Sequence, residues 1–373
     1  MALAFFFSCS EKEDGAYIMV DRDRAPQHVS VAPEKNEFVF SEWFSQVSMI
    51  PLSGGVVSMI QDVSIMDDDR ILLWARVHND DTPSSVLTVF TKEGKYLDSI
   101  VKIGRGPGEL PNIADVHVNR FSGTIDVLDN TGTVINQYDL HDWAMSRQIH
   151  IKDADIVSAA AFIPVDAYHF LLFKHLGFTR KVEYKIYFYN SESDKSEAQY
   201  LPLDKEIVEK MAFLFNNTFF ENEGKIYFHD GVAPVVYQFE KNEVQPAIGM
   251  NYGRYELERS LVETSSSELR KMMEQFDEKR IIYAHGGFIP AGSLLFSHFL
   301  FAGERFMAVI DPERGTEKTF DSIYDDMCSN MRASITSRDI RLVGSKDDIL
   351  IFCFESGEEN PELYLGRLKN VSW

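Results

Sequence analysis

One short unit recurs along this chain, and a chain built that way has few folds open to it. Each copy is a turn-prone polar or glycine residue, then a β-rich run, then a second run ending in a charged turn. The clearest copies are Asp69-Arg-Ile-Leu-Leu-Trp-Ala75, Gly123-Thr-Ile-Asp-Val-Leu-Asp129, Gly224-Lys-Ile-Tyr-Phe-His-Asp230 and Asp347-Asp-Ile-Leu-Ile-Phe-Cys353. Ala167-Tyr-His-Phe-Leu-Leu-Phe173 and Gly292-Ser-Leu-Leu-Phe-Ser-His298 are weaker copies. The starts lie roughly fifty residues apart, with one longer interval, which is the size of a propeller blade. A unit of that size cannot bury its own apolar face, so the repeat predicts radial stacking: an all-β, six-bladed β-propeller.

The rest of the chain fits around that ring. Residues 1–35 read as leader and tether, and 36–373 as a single propeller domain. The run from Asn36 to Ile50 belongs to no complete blade, so it is expected to act as an N-terminal strand that closes the ring by joining the last blade and covering its edge. Two turns carry glycine where a hairpin needs positive φ, in Thr91-Lys-Glu-Gly94 and Asp129-Asn-Thr-Gly132. Residues 256–280 break the rhythm. There Leu269, Met272, Met273 and Phe276 fall on one helical face behind the serines at 265–267, which predicts a short helical insertion and explains the long interval.

Composition narrows the function more than it names it. Of 373 residues, 58 are acidic and 37 basic, a formal net charge of -21 that opposes binding to a phosphate backbone, so no nucleic-acid partner is expected. Three cysteines, at 9, 328 and 353, form no Cys-x-x-Cys and no disulfide framework. The segment Met1-Ala-Leu-Ala-Phe-Phe-Phe-Ser-Cys9 is too short to span a bilayer and lacks a basic start. It reads either as an apolar leader packed on the body or as the tail of a lipoprotein signal. The Ser8-Cys9 junction with the acidic stretch behind it favours the second, with Cys9 the lipidated residue and the only membrane attachment.

The loop Ile103-Gly-Arg-Gly-Pro-Gly-Glu-Leu110 invites a nucleotide reading, but no Gly-Lys-Ser/Thr follows it and no helix stands behind it. A tight crossing between blades suits it better, with Arg105 and Glu109 paired across the turn. The alternative has Arg105 at a channel mouth, gripping a carboxylate or sugar acid. This loop, with Ile113-Ala-Asp115 and Gly123-Thr-Ile-Asp-Val-Leu-Asp-Asn130, resembles the six-bladed propeller lipoproteins of gut Bacteroidales, which look related to NHL-repeat propellers. The resemblance is strong over residues 56–151 and architectural beyond. It implies export and a lipid anchor on the cell envelope, at the outer membrane, and carries over no catalytic residue.

Candidate chemistry is sparse. Ten histidines are scattered, with no His-Glu-x-x-His and no close ligand pair. A propeller gathers side chains from different blades around its axis, which singles out His117, the pair His229-Asp230 and His285 for a metal or acid–base role, beside the plainer reading as surface or hydrogen-bonded core residues; no cofactor is predicted, a divalent metal being the one alternative. Asp67-Asp68-Asp69 reads as a β-turn. Trp143, in a connection, is placed either to stack on a carbohydrate or to pack on a partner. The leading expectation is an envelope-bound propeller that binds a protein, glycan or peptide. The alternatives are a metal-assisted lyase or hydrolase acting on a polysaccharide or peptide in the channel, and a structural component of an envelope assembly.

Overall fold

The computed structural model describes residues 22–54, 59–79, 82–101, 103–104, 109–153, 156, 158–174, 184–202, 218–229, 233–266, 268–284, 286–336, 340–355 and 361–369. Its strands form a β-propeller of seven sheets rather than the six expected. Sheet I comprises Ile60–Ile65, Ile71–Asn79, Thr82–Phe90 and Tyr96–Ser99. Sheet II comprises Ile113–Asn119, Thr124–Asp129, Val134–Asp139 and Met145–His150. Sheet III runs from Ala159–Pro164 through His169–Lys174 and Tyr184–Asn190 to Lys195–Pro202. Sheet IV holds Thr218–Asn222, Lys225–His229, Val235–Glu240 and Glu243–Asn251, with Gln27–Ser30 added in parallel. Sheet V is built on Leu294–Phe301, Glu304–Asp311 and Thr316–Phe320, with Ile289–Ala291 and Ile282–Tyr283 both pairing Leu294–Phe301.

The extra sheet, VI, is the correction to the six-blade count. It is three-stranded, with Glu37–Val39 parallel to Ser322–Asp325 and Met331–Ser334 antiparallel beyond. All three of its strands are four residues long or shorter, and one comes from the far end of the chain, so no repeat unit marks it in the sequence. Sheet VII holds Ile340–Lys346, Ile349–Phe354 and Glu362–Leu368, and Phe44–Pro51 pairs antiparallel with the last of these. That N-terminal strand is the closing strand the sequence predicts. Residues 27–30, read as tether, are instead part of sheet IV, so one N-terminal segment is stitched to sheets IV, VI and VII.

The hairpins form where the backbone chemistry allows them. Gly94 and Gly132 sit at φ +83° and +68°, and each donates its N–H to the residue three back, Thr91 and Asp129. Asp69 takes φ +64° in the expected acidic turn, where Arg70 N donates to the Asp68 side chain. The apolar core lies between sheets rather than in one centre. Leu73, Phe90, Ile351 and Cys353 join sheets VII and I, Val89, Leu110 and Val127 join I and II, and Phe162, Phe170 and Tyr189 extend the packing from II to III. Burying those faces against one another supplies the driving force for closure. The insertion forms two helices, α1 (Arg259–Thr264) and α2 (Leu269–Glu278). Met272 and Phe276 of α2 pack with Ile281 and Tyr283 on the flank of sheet V. Among the described residues no helix is long and apolar enough to cross a membrane.

Candidate functional site

The first strands of several neighbouring sheets approach one another: sheet VII meets I, II meets III, and III meets IV along these strands. They line the middle of the ring. Four of them carry a bulge, between Ile60 and Asp62, Ile113 and Asp115, Ala159 and Ala161, and Leu342 and Gly344. In sheets I and II it falls at the same register, with Asp62 opposite Trp74 and Asp115 opposite Leu128, the sixth residue of each repeat copy. A bulge inserts one residue and re-aims the side chains after it. By that pairing the equivalent residues are Asp62, Asp115, Phe162 (opposite Leu172) and Leu342 (opposite Phe352). A Cβ on Gly344 would stand 2.1 Å from the Val63 carbonyl oxygen of sheet I, so the bulge of sheet VII is packed on its neighbour, and on sheets III and VII the equivalent position is apolar. On sheets I and II it carries a carboxylate.

Alternation along sheet II puts His117 on the same face as Asp115, and His117 Nε2 lies 3.3 Å from Asp115 Oδ2. Asp115 is itself fixed from two sides: Val116 N donates to Oδ1 at 2.9 Å, and Phe162 N of sheet III donates to Oδ2 at 2.9 Å. Phe162 also meets the His117 ring edge-on at 5.0 Å. Asp62 accepts from the Val63 backbone N–H and makes a 3.5 Å contact with Ser64 Oγ, and no lysine or arginine among the described residues pairs with it. Burial pushes its carboxyl up to about 6; His117 opposes that rise and Asp115 adds to it. Burial disfavours charge on His117, but Asp115, then Asp62 and Asp126, outweigh it and raise the imidazole above its usual value. Three ionisable groups from two sheets thus share one stretch of inner wall, with Asp115 and His117 each about a fifth exposed at the side chain.

Close by, Asp126 shows what a fully satisfied acid looks like. It is buried in sheet II, accepts from Thr124 Oγ1 at 2.6 Å and Gln137 Nε2 at 3.0 Å on one oxygen, and from Asn119 Nδ2 at 2.8 Å on the other. That node is structural.

The remaining sequence candidates do not join this wall. His229 is fully buried, its Nε2 3.1 Å from the Ala233 carbonyl oxygen and its ring against Phe288. Trp143 sits at φ +61° with the Arg70 guanidinium 4.4 Å above its ring, and Arg70 Nη2 donates to Leu140 O at 2.9 Å. Sheet I thereby holds the connection of sheet II, and one face of the indole is taken. Glu109 folds back so that its Oε2 would stand 2.0 Å from a Cβ on Gly104, within a loop closed by Gly104 N donating to Leu110 O at 2.8 Å. Arg105, Asp230, His285 and Cys9 lie outside the described residues. Among the described residues no three His, Cys, Asp or Glu side chains are grouped so as to hold a metal ion.

Asp62 and Asp115 were not among the sequence candidates, although a signal was present. Asp62-Val63-Ser64 and Asp115-Val116-His117 are the same Asp-Val step at the same place in adjacent units.

Comparison with known families bears on the whole ring. The family model described as "Domain of unknown function (DUF4934)" matches residues 27–371, from the first strand of the propeller to beyond its last. The chain belongs to the DUF4934 family. No curated protein matches it. Two solved structures share this DUF4934 fold, both from Bacteroides, in line with the expected Bacteroidales propeller family. A "Putative exported protein" from Bacteroides fragilis is 13% identical, with a TM-score of 0.71 over 92% of this chain and 100% of that one. A member of the DUF4221 family from Bacteroides vulgatus is 9% identical, with a TM-score of 0.54 over 87% of this chain and 97% of that one. At such identities the likeness is one of fold. The NHL kinship expected from the sequence gains nothing from these matches.

Proposed function

We propose that this protein is an exported binding propeller of the cell envelope, which holds an amine-bearing ligand such as a lysine-containing peptide against the inner wall of sheets I and II. The observation that carries this reading is Asp62, a carboxylate raised to about 6, facing Asp115 and His117 with no lysine or arginine partner among the described residues. A protein that needed only stability would leave no such acid there; Phe162 and Leu342 occupy the same position on sheets III and VII without charge. An ammonium group placed between Asp62 and Asp115 offsets their repulsion and gains from the low-dielectric wall. The rigid ring positions the acids at little cost in ordering. The location rests on the Bacteroides fragilis neighbour named for export and on the Ser8-Cys9 junction, with a lipid on Cys9 as the anchor.

The test uses Nα-acetyl-lysine amide, which carries one ammonium group, and its Nε-acetylated counterpart, followed by protein NMR. The ammonium compound is expected to bind more tightly as pH rises through about 6, where Asp62 ionises, and to lose that dependence in Asp62→Asn. Equal binding of both compounds, or no binding of either, sinks the reading.

A further inference from the structure

A second site lies away from the axis, on the face of sheet IV that turns toward sheet V. The register of that sheet sets Tyr227 opposite Gln238 and Gln238 opposite Gln245, so a phenol and two amides form a row across three strands. Beside the row, a cavity of about 210 Å³ is lined by these three side chains together with Lys225, Glu240 and Pro26. At roughly 30 Å³ per water, that is room for about seven waters, or one sugar ring.

Two features distinguish this hollow from an ordinary polar sheet face. The first is a run of stacked aromatic rings that ends in it. Phe288 lies on Phe220 with centroids 5.7 Å apart, and Phe220 lies on Tyr227 at 5.2 Å with the rings tilted by only 13°. Phe220 backs the Tyr227 ring and fixes its plane, while the ring is half-buried and borders the cavity. The second is the fixed set of polar groups beside it. Gln238 Nε2 donates to Glu240 at 3.2 Å and Gln245 Nε2 to Glu243 at 2.9 Å, so each amide is held by a carboxylate two residues along its own strand. Burial, with Glu223 and Glu240 nearby, raises the Tyr227 phenol above its usual range, so it remains an O–H donor.

We infer that this cavity binds a pyranose, its C–H face on the Tyr227 ring and its hydroxyls on Gln238, Gln245 and Glu240. A backed aromatic face accepts the slightly positive C–H edge of a sugar. Amides and a carboxylate supply donors and acceptors matching hydroxyls, which do both. The lining carries one charge of each sign, Lys225 and Glu240, and Glu240 is paired with Lys241 at 3.5 Å, so the cavity favours an uncharged ligand over the ammonium group expected at the axis. This site is independent of the axial reading.

Saturation-transfer NMR with methyl β-D-glucopyranoside and methyl β-D-galactopyranoside at millimolar concentration decides the matter. Transfer to the ring C–H protons of at least one glycoside is expected. Tyr227→Leu, which still covers Phe220, and Gln245→Lys at the exposed end of the row should each weaken it, the first by about tenfold, the worth of one aromatic contact. Asp62→Asn should leave it unchanged, so failure here and failure at the axis are told apart. Circular dichroism confirms that the variants fold. No transfer from either glycoside, or transfer that both cavity variants leave intact, overturns the proposal.

Discussion

Asp126 and Asp62 are two acids on neighbouring sheets of one ring, and they are treated in opposite ways. Asp126 is fully buried, yet three side chains donate to it, and these bonds offset much of what burial costs. Asp62 is only half-buried, yet it has no more than the Val63 backbone N–H and a long contact with Ser64, and it faces a second carboxylate. Depth alone does not distinguish a structural acid from a functional one. The number of donors aimed at it does. Where the fold leaves a carboxylate on an inner wall with so few donors and a like charge beside it, another species is called for to meet its charge.

The largest effect expected from this contrast is at Asp126. Asp126→Ala leaves Asn119, Thr124 and Gln137 without their common acceptor inside sheet II, a loss of about 3 kcal/mol. Urea denaturation at neutral pH reads it directly. A loss below about 1 kcal/mol, the worth of a single ordinary hydrogen bond, would mean that the node is re-satisfied by water and that the contrast with Asp62 is weaker than drawn.

Asp62→Asn should act with the opposite sign. Its carboxyl titrates near 6 in the folded protein against 3.8 in an ordinary setting, so the folded state holds the proton more tightly. As pH rises from about 4 through 6, the unfolded chain gives up that proton first, and stability falls. At about 1.4 kcal/mol per pH unit, discounted for partial exposure, the wild type gives up about 2 kcal/mol across that window. Asn carries no charge to titrate. The variant should therefore be about 2 kcal/mol more stable than wild type at pH 7 and no different at pH 4, as thermal unfolding at the two values would show. Equal stability at pH 7 would mean that Asp62 already has a partner.

The architecture was more legible in the sequence than the site. Sheets I and II announce themselves because their second strands begin at a turn residue with a β-rich run behind it, as in Asp69 to Ala75 and Gly123 to Asp129. Sheet VI could not be seen that way. Its strand Glu37–Val39 pairs in parallel with a segment near the other end of the chain, and parallel pairing leaves no hairpin signal between partners. The closing strand was visible as a β-rich run belonging to no unit, whereas Gln27–Ser30 is too short to stand out from the prolines around it. His117 was picked out by residue type, but its partners were not. Asp62 and Asp115 look like two more acids in an acidic chain until the bulges at Gln61 and Ala114 bring them into register. Bulge positions depend on the pairing of strands, which a search for ionisable residues does not test.

The smallest effect sharpens the comparison at the join between the same two sheets. Arg70 of sheet I covers the Trp143 ring at 4.4 Å and donates to Leu140 O at 2.9 Å, reaching across to the connection that follows the third strand of sheet II. Trp143 keeps a left-handed backbone there, a strain that persists only where packing holds it. Arg70→Met keeps the length of the side chain but removes the charge and the donor, and should cost about 1 kcal/mol. A double-mutant cycle with Trp143→Leu isolates the ring contact, with a coupling of about 0.5–1 kcal/mol expected at a partly exposed site. Coupling of that size makes Trp143 a clamp between sheets I and II, acting on the same pair of sheets that presents Asp62 and Asp115. Coupling near zero would free the indole for a ligand, and would mean that the spacing of the two acids is set by the apolar packing of Val89, Leu110 and Val127 alone.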